Sequence, residues 1–219
     1  MKKLLFGWSG GKDSAMALHE IKKNNEYEVV SLLTTITRDY DRISMHGVRR
    51  VLLEKQVKSL GIPLYKVSIP KECSNEIYAA RMTEALNRFK ENGVKTVAFG
   101  DIFLEDVRQY RLDNLAKLNM KAIFPIWGRN STELVHSFVA LGFKAVVSCI
   151  DTKVLDKKFL GRQLDKDFIA ELPPNVDPSG ENGEFHSFVY DGPIFREKID
   201  YKLGKSVSRD SFYFCDLIP

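Results

Sequence analysis

Features that define several common protein classes are missing from this sequence of 219 residues. It has three cysteines, Cys73, Cys149 and Cys215, with no Cys-x-x-Cys pair and no Cys/His spacing typical of zinc. A disulfide framework and a zinc site are therefore not expected, and the thiols fit a reducing, cytoplasmic compartment. No apolar run approaches the roughly 20 residues that span a bilayer, so we expect no membrane partner.

An excess of either charge is also missing. The 33 basic and 29 acidic side chains leave a formal net charge of +4 and are interspersed along the chain. Without a strongly basic patch, a nucleic-acid partner is not expected. The hydrophobic share of 44% provides enough material for a core and excludes a disordered chain.

Strand and helix patterns alternate regularly between residues 3 and 150. Short apolar runs such as LLFGWS are followed by amphipathic segments, two of which begin at the capping residues Ser74 and Asn130. This order predicts an α/β fold, a Rossmann-like parallel sheet with helices on both faces. The carboxyl ends of such strands share one edge of the sheet, and ligands bind there.

The alternation weakens after residue 130, which predicts two domains. Residues 1–130 would form the nucleotide-binding domain, and residues 131–219 a smaller C-terminal α+β lobe for the substrate. In this lobe we expect one more strand, a helix over 156–172, a loop rich in Pro, Gly and Asn over 173–188, and finally a β-hairpin or edge strands.

The segment SGGKDS, residues 9–14, lies where the first strand is followed by the first helix. Free amides at a helix N-terminus, glycines that let the backbone come close, and a lysine together make a phosphate site. The Walker A pattern is not met, because Phe6 stands at its first glycine and Asp13 at its Ser/Thr position. Transfer of the γ-phosphate is therefore disfavoured. The residues expected to bind the phosphates are Ser9, Gly10, Gly11, Lys12, Asp13 and Ser14.

Other strand ends supply further nucleotide-binding candidates. Thr34 and Thr35, at the end of the second strand, are expected to contact ribose and adenine. Gly100 would let the nucleotide approach the backbone, and Asp101 is either a ribose or metal ligand or a plain turn aspartate. For Asp13 we predict Mg²⁺ coordination, and capping of the helix is compatible with it.

The SGGKDS loop resembles the pyrophosphate loop of the ATP α-hydrolase superfamily, whose members split ATP between the α- and β-phosphates. Four further segments extend the likeness over nearly the whole chain to the diphthine–ammonia ligase family: YDRISMHGVRR, AFGDIFLEDVRQYR, FPIWGR and GENGEFHSFVYDGPIF. The resemblance implies a fold of the adenine nucleotide α-hydrolase type that uses ATP and Mg²⁺. It also implies a reaction in which the diphthine carboxylate of elongation factor 2 becomes an adenylate and is then amidated by ammonia.

One segment departs from the family pattern. Eukaryotic and archaeal ligases typically read Gly-Glu-Gly-Gly-Glu-Phe-Glu where residues 180–186 read Gly-Glu-Asn-Gly-Glu-Phe-His. In this the chain resembles the bacterial branch of the family, and bacteria lack diphthamide. The resemblance therefore leaves the acid open between a protein carboxylate and a cobalamin-related small molecule, and a homodimer is compatible with either.

The glutamates of this segment, Glu181 and Glu184, are predicted to be catalytic together with Lys12. A carboxylate in a partly desolvated loop would accept the proton that attacking ammonia must lose. We expect Glu184→Gln to preserve ATP binding and to slow product formation by about 10²- to 10⁴-fold. Lys12→Ala is expected to weaken ATP binding itself. Four side chains are expected to bind the second substrate: His46, Arg108, Arg111 and His186.

Two other functions stay open at this point. A sulfur-transferring RNA enzyme of the same superfamily would need a cysteine pair near the nucleotide, and Cys149 has no such neighbour in sequence. A nucleotide-sensing module would use the phosphate loop without turnover. The paired glutamates of the second lobe argue for chemistry instead.

Overall fold

The first sheet carries the phosphate loop on its central strand. The structure, a computed structural model, describes residues 1–44 and 46–219. The strands of this sheet are β1 Lys2–Gly7, β2 Tyr27–Thr37, β3 Arg42–Ile43, β4 Leu64–Ile69, β5 Thr96–Ala98 and β6 Lys121–Ile123. Five of them are parallel, in the order β4-β2-β1-β5-β6, and the short β3 pairs antiparallel with β2. The predicted parallel sheet is confirmed.

The helices between these strands cover both faces of the sheet. They are α1 Lys12–Lys23, α2 Arg50–Leu60, α3 Asn75–Glu91 and α4 Glu105–Lys117. One apolar cluster contains Leu18 of α1 and Leu53 of α2, while a second contains Leu86 of α3 and Leu115 of α4. The central strand β1 is buried on both sides, as its unbroken apolar run predicts.

The predicted helix caps are confirmed. The Ser74 side chain accepts a hydrogen bond from the backbone of Ile77 at the start of α3. Asn130 accepts in the same way from Glu133 at the start of α5, Ser131–Ala140. These bonds satisfy amides that the first helical turn leaves without partners.

The second sheet is antiparallel, in the order β8-β7-β10-β9. Its strands are β7 Lys144–Asp151, β8 Phe185–Asp191, β9 Lys202–Arg209 and β10 Phe212–Ile218. The predicted final hairpin is confirmed as β9–β10. The predicted loop over 173–188 is wrong at its end, because β8 begins at Phe185.

The predicted helix over 156–172 is also wrong. Only a 3₁₀ turn, Lys157–Phe159, and the short helix α6, Lys166–Ala170, form in this stretch. Gly161 takes a left-handed φ of +75°, and the backbone of Leu164 donates to Ala145 of β7. Pairing with β7 therefore competes with helix formation, and Asp165 caps a new, short helix.

The second lobe reaches the phosphate loop through β8. The backbone N–H of Val189 donates to the carbonyl of Gly10 at 2.9 Å, and the hydroxyl of Ser187 accepts from the N–H of Lys12 at 3.2 Å. The domain boundary at residue 130 stays a prediction. In the described ranges, every helix is too short or too polar to cross a membrane.

Candidate active site

A cavity of about 300 Å³ opens at the carboxyl edge of the parallel sheet, beside the neighbouring strands β1 and β5. The strand order reverses here, because the chain continues from β1 to β2 on one side and from β5 to β6 on the other. The phosphate loop and the ends of β2 and β5 form one wall, and residues 180–181 and 185–187 of the second lobe form the other. The predicted site residues on these walls are Ser9, Lys12, Asp13, Ser14, Thr34, Thr35, His46, Gly100, Asp101, Arg111, Glu181 and His186. The cavity therefore joins both lobes.

The phosphate loop turns sharply before α1 begins. Gly10 takes a φ of +80°, which glycine adopts without strain. Gly11 stands at the N-cap position and supplies no side chain to the first turn of α1. The hydroxyls of Ser9 and Ser14 lie 3.2 Å apart, and Ser14 donates to the carbonyl of Gly11 at 2.9 Å. Two hydroxyls and a helix N-terminus thus face the same cavity.

Lys12 and Asp13 form a pair at this helix N-terminus. The Lys12 ammonium is 2.8 Å from Oδ2 of Asp13, and its side chain is only 5% exposed. The Oδ1 atom of Asp13 is buried and has no hydrogen-bond partner. Burial raises the pKa of Asp13 above its usual range, although the nearby Lys12 acts in the opposite direction. A buried carboxylate oxygen without a hydrogen-bond partner is a suitable ligand for a cation.

Thr34 and Gly100 shape the floor of the cavity. Thr34 donates to the carbonyl of Trp8 at 2.6 Å, which holds the end of β2 against the end of β1. A Cβ at Gly100 would lie 2.9 Å from the carbonyl carbon of Asp13. Glycine is thus needed at position 100 because the end of β5 approaches the first turn of α1, a role that sequence reasoning did not foresee.

Asp101, which follows β5, is paired with Arg111 of α4. Nη2 of Arg111 donates to Oδ1 of Asp101 at 3.0 Å, and Nε lies 2.7 Å from Oδ2. The guanidinium group also lies over the ring of Phe99, 4.2 Å from its centre. Arg108 lies outside the wall of the cavity and stacks on Trp127 at 4.6 Å. Of the two arginines, Arg111 lines the cavity and Arg108 does not, and their roles in substrate binding stay predictions.

The two glutamates of the second lobe have different surroundings. Glu181 lines the cavity, and its Oε1 accepts a hydrogen bond from the backbone of Ile102 at 2.8 Å. Burial raises the pKa of Glu181 to about 7, and the nearby Asp13 acts in the same direction. A carboxyl group with this pKa accepts and returns a proton near neutral pH.

Glu184, by contrast, does not line the cavity. It is 6% exposed, and its Oε1 accepts from the backbone of Asp177 at 2.9 Å and from Asn182 at 3.0 Å. These bonds close the turn that carries Glu181. The prediction that Glu184 is catalytic stays untested, and its position favours support of the loop.

His46 and His186 lie side by side on the cavity wall, with ring centres 4.7 Å apart. Burial lowers the pKa of His46 to about 3 and that of His186 to about 4, and the Lys12 ammonium acts in the same direction. Both rings are therefore neutral at physiological pH. Nδ1 of His46 is buried and has no hydrogen-bond partner among the described residues, and the role of the pair in substrate binding stays a prediction.

Several residues that line the cavity were not predicted from the sequence. Tyr78 and Met82 come from α3, and Ser187 from β8. Nothing in their local patterns marks them, because tertiary packing alone brings α3 and β8 to the sheet edge. Cys149 is fully buried, and burial raises its thiol pKa to about 12. The thiol is therefore not a nucleophile at neutral pH.

Two family models match successive parts of the chain. The model described as the diphthamide synthase N-terminal domain matches residues 1–121, and the one described as the diphthamide synthase C-terminal domain matches residues 130–216. The chain belongs to the diphthamide synthase family. This membership confirms the resemblance, and relatives named diphthine–ammonia ligase confirm the predictions of an enzyme and of an ATP-dependent carbon–nitrogen ligase. It does not favour the RNA-modifying or nucleotide-sensing alternatives.

Several relatives of this chain are named diphthine–ammonia ligase. The Rattus norvegicus protein is 26% identical over 229 residues, which cover 93% of this chain and 85% of the relative. The Homo sapiens protein is 25% identical, with 87% and 79% covered. The match to the Schizosaccharomyces pombe protein, 26% identical, covers 95% of this chain but 38% of that longer relative.

Two solved archaeal structures are more distant. A predicted subunit of tRNA methyltransferase from Methanocaldococcus jannaschii has a TM-score of 0.45 at 18% identity, with 66% of this chain and 77% of that one covered. The U34-tRNA thiolase NcsA from Methanococcus maripaludis has a TM-score of 0.40 at 20% identity, with 64% and 57% covered. At these scores, neither likeness bears on function.

Proposed function

We propose that this ligase amidates a carboxylate in two steps, through an acyl-adenylate. The observation that carries the proposal is the shared cavity: the phosphate loop lies on one wall and Glu181, with its pKa of about 7, on the other. The first wall suits the leaving pyrophosphate, and the second suits the proton of the nucleophile. The relatives named diphthine–ammonia ligase support the same chemistry.

In the first step, a carboxylate oxygen of the acid attacks the α-phosphorus of ATP. A new P–O bond forms, the bond to the α–β bridging oxygen breaks, and pyrophosphate leaves. The amides at the start of α1 and the hydroxyls of Ser9 and Ser14 stabilise its charge, with the Lys12 ammonium beside them. Thr34, Thr35 and Asp101 are proposed to hold the adenosine.

In the second step, the nitrogen of ammonia attacks the acyl carbon. The C–N bond forms, the C–O bond to AMP breaks, and AMP carries away the electron pair. The nitrogen must lose a proton, which we assign to the ionised form of Glu181. The neutral rings of His46 and His186, together with Arg111, are proposed to position the second substrate.

Mg²⁺ fits this site through Asp13. Its buried Oδ1 lacks a partner, and Mg²⁺ is commonly held by one or two carboxylates together with substrate phosphates. Among the described residues, no group of three His, Cys, Asp or Glu is arranged to hold a metal, so the phosphates would supply further ligands. Bound there, the ion would offset charge on the leaving pyrophosphate.

The acid is proposed to be diphthine, as the names of the relatives indicate, or a different carboxylate if this chain follows the bacterial branch. The observation that keeps the second candidate is His186, which lines the cavity at the position where the eukaryotic and archaeal pattern has glutamate. A neutral ring in place of a carboxylate changes what the substrate wall can bind.

The test is an incubation of the protein with ATP, Mg²⁺, ammonium and diphthine-containing elongation factor 2, and in parallel with cobalamin-related acids. The proposal predicts release of AMP and pyrophosphate that depends on both the acid and ammonium, together with an amide product. Release of ADP and phosphate would contradict cleavage between the α- and β-phosphates.

A further inference from the structure

Gln56 is a polar side chain on the buried face of α2. It is 0% exposed, and the other buried residues of this helix include Leu52, Leu53 and Leu60. An amide in such a place is unfavourable unless its polar atoms are hydrogen-bonded. Its bonding partners therefore decide what the side chain contributes.

Every polar group of the Gln56 amide has a partner. Its Oε1 accepts from Nε1 of Trp8 at 3.1 Å, and its Nε2 donates to the carbonyls of Gly10 at 3.0 Å and Val189 at 2.6 Å. One side chain thus joins the end of β1, the phosphate loop and strand β8 of the second lobe.

The bond to Gly10 fixes the orientation of a peptide in the phosphate loop. The carbonyl of Gly10 also accepts from Val189, at 2.9 Å, so two donors hold it on the side of α2 and β8. In a trans peptide, the C=O and the following N–H point in opposite directions. The N–H of Gly11 is therefore turned the other way, where it meets the hydroxyl of Ser9 at 3.2 Å on the cavity wall.

The fit between Gln56 and Gly10 is close. A Cβ at Gly10 would lie 2.7 Å from Oε1 of Gln56, so the amide packs directly against the loop at a position that only glycine fits. No other side chain bonds to the carbonyl of Gly10 in the described part of the chain.

We propose that Gln56 is a positioning residue for nucleotide binding, which keeps the amides of the phosphate loop directed at the phosphates of ATP. It does not touch the nucleotide and acts only through Gly10. This role goes beyond the proposed amidation, because it concerns binding of the nucleotide whatever acid is activated.

The proposal separates two affinities. Without Gln56, the carbonyl of Gly10 is held by one donor instead of two, so the Gly10–Gly11 peptide is freer to rotate and the phosphates lose aligned donors. Adenosine has no phosphates and does not use the loop. A change at Gln56 should therefore weaken ATP binding and leave adenosine binding unchanged, whereas general damage to the fold would weaken both.

The experiment measures ATP binding by isothermal titration and adenosine binding by ligand-observed NMR, with the full chain. Gln56→Asn keeps the amide but is one methylene too short, and Gln56→Met keeps the length without hydrogen bonds. The matched control is Ser59→Ala on the same helix. Ser59 is 1% exposed and donates to the carbonyl of Glu197 at 2.6 Å, so it contacts the second lobe but not the loop.

We expect both Gln56 variants to bind ATP about tenfold more weakly or worse, consistent with the loss of one buried hydrogen bond. Their adenosine affinity should match the wild type, and Ser59→Ala should match it for both ligands. ATP affinity that is unchanged in the Gln56 variants would overturn the proposal. An equal loss of ATP and adenosine affinity would overturn it as well, and so would a wild-type protein that does not bind ATP.

Discussion

The two walls of the cavity are built in different ways. The phosphate loop, residues 9–14, is continuous, and its chemistry follows from the turn between one strand and one helix. The acidic loop, residues 180–185, comes from the other lobe and depends on distant partners for its shape. One wall can be recognised in six residues of sequence. The other wall forms only where the two lobes meet. Only the fold shows that Glu181 lines the cavity and that Glu184 does not.

The largest effect that would sharpen this comparison is expected at Glu181. Glu181→Gln keeps the bond from Ile102 but removes the proton acceptor, so we expect the rate of amide formation to fall by about 10²- to 10⁴-fold. ATP affinity, measured by isothermal titration, should be nearly unchanged.

The matched control lies in the same loop. Glu184→Gln retains an oxygen that can accept from Asp177 and Asn182, so it should leave the amidation rate close to wild type. If Glu184→Gln were the slow variant and Glu181→Gln the fast one, the assignment of the two glutamates would be reversed.

The next effect concerns the phosphate loop. Lys12→Ala removes a cation that is 5% exposed beside the predicted phosphate positions. Because hydrogen bonds to charged groups contribute about 1.5–3 kcal/mol, we expect ATP affinity to fall about 10- to 100-fold. Adenosine affinity serves as the control and should be retained. Equal losses for both ligands would point to a damaged fold instead of a lost phosphate contact.

A smaller effect is expected in the pH dependence of stability. Burial favours the protonated form of Glu181, whose pKa rises from 4.5 to about 7 on folding. The stability gained from this protonation is fully present below pH 4.5 and is lost as the pH rises through about 7. The melting temperature of wild type should therefore fall relative to Glu181→Gln over this range. A difference that does not vary with pH would contradict the raised pKa.

The smallest effect is expected at Cys149. Its thiol is fully buried, and its pKa is raised to about 12, so it should take no part in the reaction. Cys149→Ala should leave turnover unchanged, as measured by AMP release. Loss of activity in a variant that still unfolds cooperatively at the wild-type temperature would revive sulfur transfer as the function.

Local patterns explain what the sequence could predict. The apolar run of β1, the glycines of the phosphate loop and the caps at Ser74 and Asn130 all act within a few residues, and each is found in the structure. The failure at 156–172 has a non-local cause, since the backbone of Leu164 pairs with β7. Contacts between lobes also lie beyond local reasoning, which is why Gln56 and Ser187 were not foreseen.

The most direct test of the central claim follows the oxygen atoms of the acid. The carboxylate is labelled with ¹⁸O, and the AMP formed in the presence of ATP, Mg²⁺ and ammonium is analysed by mass spectrometry. An acyl-adenylate transfers one carboxylate oxygen to the α-phosphate, so the account predicts AMP that carries a single ¹⁸O atom. Unlabelled AMP, or label that appears in inorganic phosphate, would contradict activation of the carboxylate at the α-phosphorus.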